Sequence, residues 1–67
     1  MAIRELVFDP HAYMIDAGGD LEAATKLAHA NFVALVADLR AYHPGRLLRS
    51  GKRPVDGRTV YYIWAVR

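Results

Sequence analysis

The chain has 67 residues, no cysteine, three histidines and a formal net charge of +2. That length limits it to one domain, expected over 1–67, and excludes a two-lobed enzyme with an enclosed pocket. The lack of cysteine excludes a disulfide framework, a thiolate nucleophile and a cysteine-ligated zinc. A chain this short buries only about 60% of its unfolded surface on folding. Yet Ala, Val, Ile, Leu, Met, Phe, Trp and Gly make up 37 of its 67 residues, above the usual share of about 45–50%. Surplus apolar residues without a covalent staple predict that a second copy or a partner covers the excess. No stretch approaches about 18 consecutive apolar residues, so no membrane-spanning helix is expected. The opening Met1-Ala2-Ile3-Arg4-Glu5-Leu6-Val7-Phe8-Asp9 sets charges inside its apolar run and does not read as a signal peptide. The expected location is the cytoplasm.

Taken in chain order, Ile3, Leu6, Val7 and Phe8 predict a first strand over 3–8. Asp9-Pro10 then reads as a helix opening, since Asp caps well and Pro tolerates the first helical position. The short helix would run over 10–17 and close at Gly18-Gly19; a short strand over 12–16 is the competing reading, because periodicity does not separate the two over so few residues. Asp20 caps a long helix, Glu22 suits its positive end, and His43-Pro44-Gly45 stops it. Glu22 and Lys26 form an i,i+4 pair on its outer face.

That helix carries two apolar stripes. Leu21, Ala24, Ala28, Phe32, Leu35, Leu39 and Tyr42 form a large-residue face suited to a sheet. Ala23, Leu27, Ala30, Ala34, Ala37 and Ala41 repeat at spacings of four and three, a seam built mostly of alanine. A helix covering one sheet needs one stripe. The second predicts close pairing with a symmetry mate, although alanine also sits harmlessly in solvent as the best helix former.

Arg46–Ser50 predicts a short strand, Gly51–Gly57 a turning loop, and Arg58–Val66 a strand dense in β-branched and aromatic residues. Val60, Tyr62 and Trp64 alternate with Tyr61, Ile63 and Ala65, so both faces of the last strand are apolar and it belongs at the centre of the sheet. The expected fold class is α+β: strand, short connector or helix, long helix and β-hairpin. Its antiparallel three-stranded sheet would take the order second, third, first, with the helix on one face. The other face is then a further surface in need of cover, which leaves either Tyr61 and Ile63 or Tyr62 and Trp64 open; Tyr61 and Ile63 are the expected dimer-interface residues.

Nothing in the chain assembles an active site. His29 and His43 are 14 positions apart on one helix, about 21 Å along its axis, too far to share a metal. His11 lies near Asp9 and Asp16, a cluster that capping and turn formation explain. Ser50, the only serine, has no nucleophile elbow around it. Asp16, Asp20 and Glu22 crowd the long helix's N-terminus and would repel a phosphate there. No cofactor, metal or catalytic residue is expected.

Charge is the most informative feature. Residues 1–43 hold three basic and six acidic side chains, a net −3; residues 44–67 hold six basic and one acidic, a net +5. Arg46, Arg49, Lys52, Arg53 and Arg58 gather around the hairpin, with Tyr61, Tyr62 and Trp64 further along. The function expected is a non-catalytic protein-interaction or regulatory module, homodimeric, presenting this basic hairpin to an acidic partner. The alternative is a nucleic-acid-binding module in which those five residues contact phosphates; arginines on an edge strand also serve simply to blunt it and keep it soluble.

Overall fold

The computed structural model describes residues 3–42 and 47–66. Strand β1 (Ile3–Phe8) leads into a single turn of 3-10 helix, η1 (Pro10–Tyr13). Helix α1 (Leu21–Tyr42) follows, then β2 (Leu47–Val55) and β3 (Arg58–Val66). The three strands form one antiparallel sheet in the order β1-β3-β2, with β3 central. This is the expected α+β architecture and the expected strand order.

The connector is wound and contains no strand. Asp9 caps η1, its side chain accepting a hydrogen bond from the His11 N–H at 3.0 Å, with Pro10 at the first helical position. The expected helix over 10–17 is confined to 10–13. Beyond it, Ala17 N–H donates to Tyr13 O, Gly18 to Ile15 O and Gly19 to Met14 O, a series of turns in place of a helical ladder. Gly18 and Gly19 both take positive φ (66° and 83°), which reverses the chain into α1. Asp20 caps that helix, accepting from the Glu22 N–H at 3.0 Å, and Lys26 lies 3.7 Å from Glu22. The expected stop at 43–45 lies outside the described residues.

Between β2 and β3 the expected loop over 51–57 is not there. β2 continues to Val55, and Asp56-Gly57 alone turns the chain. Both residues have positive φ (47° and 77°), as a two-residue hairpin turn matched to strand twist requires. Pro54 and the charged run are compatible with an edge strand, where a missing backbone N–H and a row of cations are tolerated.

Register assigns the two faces of the sheet. Leu6 stands opposite Ile63 and Phe8 opposite Tyr61, and these face α1. Phe32 stacks on Tyr61 with ring centroids 5.1 Å apart and meets Phe8 edge-on at 6.0 Å. Ala24, Ala28, Ile63 and Pro10 are fully buried, and the two alanines let the helix approach closely. Val60, on the opposite face and paired with Arg53, is 3% exposed, so that face is covered at this end of β3. The α1 side toward the core is the predicted large-residue stripe, except that Leu21 and Tyr42 at its ends are exposed.

Candidate functional site: the open face of the sheet

The face turned away from α1 is organised in rows. Glu5, Trp64 and Arg49 make one row across β1, β3 and β2; Val7, Tyr62 and Gly51 make the next. One step further, Arg53 stands opposite Val60. Along β2 this face therefore reads Arg49, Gly51, Arg53, with the two aromatics of β3 beside it.

Gly51 is the notch in that row. A Cβ built there would lie 2.6 Å from the Tyr62 hydroxyl oxygen and 2.9 Å from Cζ, so the Tyr62 ring lies down across β2 only because residue 51 has no side chain. Trp64 packs beside it, ring centroids 4.7 Å apart and tilted by 43°. Arg53 crosses above the Tyr62 ring, its guanidinium carbon 5.3 Å from the ring centroid, and reaches Glu5 on the far strand at 3.4 Å. The strap is solvent-exposed, and such pairs contribute about 0–1 kcal/mol. Val7 is 53% exposed beside it.

The expected contact residues fall into distinct settings. Arg49 and Arg53 lie on the open face, and Lys52 lies on the opposite side of β2. Among the described residues no carboxylate is within ion-pairing distance of Arg49 or Lys52. Arg58 is engaged internally: its Nε and Nη2 donate to the two Asp9 oxygens at 2.7 and 2.9 Å in a half-buried bidentate pair. That hydrogen-bonded guanidinium is the main reason the Asp9 carboxyl titrates at about 2, with the His11 N–H assisting and partial burial opposing. Arg58 thus fastens β3 to the start of η1. Arg46 lies outside the described residues.

Of the expected dimer residues, Tyr61 and Ile63 are not on a free surface. Ile63 is fully buried and Tyr61 is covered by Phe32 and His29, because the helix takes that face of β3; Tyr62 and Trp64 take the open one. A two-residue alternation in Arg49-Ser50-Gly51-Lys52-Arg53 was the signal for this arrangement, legible only if β2 is continued past Ser50. On α1, Ala30, Ala34, Ala37 and Ala41 are exposed, Ala23 is half-buried and Leu27 is 37% exposed, with Val33 at 49% beside them. At about 100° per residue this side of α1 lies roughly 120° around the helix from the buried alanines, so the stripe faces away from the sheet on a flank of α1.

Among the described residues no group of three or more His, Asp or Glu side chains is placed to hold a metal ion, and no described helix is long and apolar enough to cross a membrane. No family model, curated protein or solved structure matches the chain.

Proposed function

We propose that this chain is a non-catalytic interaction module of the cytoplasm. It pairs with a second copy along the exposed alanine side of α1 and offers the open face of its sheet to an acidic partner. The observation that carries the reading is the company Tyr62 and Trp64 keep: both lie on the uncovered face, flanked by Arg49 and Arg53. Tyr, Trp and Arg are the residues that supply most of the energy in macromolecular interfaces. Pairing is supported by the exposure of Leu27, Val33 and four alanines on α1, in a chain too small for a large core. Because the stripe is on α1 and α1 covers the other face of the sheet, a dimer built on the stripe leaves the open faces accessible.

Sedimentation of the wild type at micromolar concentration is expected to give twice the 7.5 kDa chain mass, and Ala34→Glu a monomer with the same circular dichroism. A monomeric wild type refutes the pairing. For the open face, replacing Arg49 and Arg53 together with Gln is expected to abolish retention on an anionic polymer such as heparin at low salt. Unchanged retention refutes that part.

A further inference from the structure

We propose that the open face is a stacking platform for single-stranded nucleic acid, in which Trp64 and the Arg53 guanidinium take bases, Arg49 takes a phosphate, and Glu5 competes with the strand for Arg53. This rests on the reading of that face as the surface for an acidic partner, and narrows the partner to one class.

The shape of the face is the first argument. Cations serve any acidic partner; planar apolar area set between them suits in particular one whose charges alternate with bases. Here the cations bracket such area: Arg49 and Arg53 are four residues apart on β2, about 13 Å at strand rise, and Tyr62 and Trp64 lie between and beside them. The Gly51 notch lays the Tyr62 ring down across the neighbouring strand, with the Trp64 ring beside it at a tilt of 43°. Unpaired bases offer planar π-faces at the spacing of a charged backbone, and aromatic side chains with arginines are the general means of holding them. A duplex has its base faces stacked inside, out of reach of an aromatic platform.

The strap is the second argument. Arg53 lies over Tyr62 and is held by Glu5 at 3.4 Å, both side chains being about half exposed. The guanidinium carbon is 5.3 Å from the Tyr62 centroid, within cation–π distance, and the side chain is about half exposed, so it is open to a further π-system. The carboxylate end of the strap is the only acidic group among the described residues that contacts Arg53. A phosphate entering the face displaces Glu5 from Arg53, at the small cost typical of an exposed pair.

Trp64 is the sole tryptophan, so its fluorescence reports on the platform directly. The experiment titrates the full chain at low salt with a single-stranded oligothymidylate about 15 nucleotides long, its uridylate counterpart, the duplex form and polyglutamate. Expected are saturable quenching by both single strands, little by the duplex or polyglutamate, and loss of binding with added salt. Arg49→Gln should lower the log–log salt slope by about 0.7. Glu5→Gln should tighten binding by about 2- to 5-fold, the worth of the exposed pair it removes. Trp64→Leu, read by the anisotropy of a labelled oligonucleotide, should weaken binding by between about 5- and 150-fold with circular dichroism unchanged; if that variant unfolds, the Glu5→Gln and quenching results decide. Equal binding of polyglutamate and oligonucleotide, without quenching, overturns the stacking proposal and leaves the acidic-partner reading standing. No binding of any polyanion overturns both. Trp64 emission that changes with protein concentration alone identifies the face as covered by a second copy, and also overturns the proposal.

Discussion

Asp9 puts three bonds on one carboxylate: it caps η1 through the His11 N–H and receives both arms of Arg58. An unfolded carboxyl titrates near 3.8 and this one at about 2, so unfolding takes up a proton between those values. Its contribution is present in full above about pH 4, shrinks as the pH falls from there, and is gone below about 2. Asp9→Asn keeps a capping oxygen and loses the charge. It should cost about 1–2 kcal/mol at neutral pH and progressively less as the pH falls from about 4 toward 2, read from urea unfolding across that range. A penalty independent of pH would show that the charge is immaterial. Gly51 lies inside β2. Glycine inside a strand is disfavoured by about 0.5–1 kcal/mol relative to alanine, yet here the Cβ would collide with the Tyr62 ring. Gly51→Ala should therefore be destabilising beside Tyr62 and stabilising in a Tyr62→Ala background. A double-mutant cycle by chemical denaturation checks the change of sign.

Helix α1 shows how far one element's two sides differ. Ala24 and Ala28 are fully buried, so Ala28→Leu forces extra carbon into a closed contact and should cost about 1–3 kcal/mol. Ala34→Leu, on the exposed side, should leave the denaturation midpoint of the monomer almost unchanged. These elements were largely readable beforehand: caps at Asp9 and Asp20, an uninterrupted helical pattern, and a last strand apolar on both faces and so central. The length of β2 was not, because Gly51, Pro54 and Asp56-Gly57 resemble a loop when read singly. Gly51 and Pro54 are instead answers to a tyrosine ring across the sheet and to an edge position, conditions set by tertiary neighbours. The site inherited that error. Which aromatic pair of β3 lies open depends on which face the helix chooses, and Phe8 and Phe32 settle it by packing on Tyr61.

At the scale of the molecule the chain is a slab of 38 × 22 × 14 Å, thin because one helix covers one sheet. The charge asymmetry between the halves of the sequence is partly folded away, since Glu5 and Asp9 from β1 and its end engage Arg53 and Arg58 of the hairpin. What remains exposed and uncompensated among the described hairpin cations is Arg49 and Lys52. With so few fully buried side chains among the described residues, stability should depend on association. The melting temperature is expected to rise with protein concentration, and Ala34→Glu to lower it and remove the dependence. A concentration-independent melt in the wild type would count against the dimer.

The Asp56-Gly57 turn also has a kinetic consequence. It brings β2 and β3 together within a few residues of chain, whereas β1 must find β3 from the other end of the sequence, Leu6 against Ile63. Short loops close first because their entropic cost is lower. The hairpin should thus be formed at the folding barrier and β1 docked after it. Substitutions in the turn, such as Gly57→Ala, are expected to slow folding, while Leu6→Ala chiefly speeds unfolding. Stopped-flow chevrons of the two variants distinguish this order from its reverse.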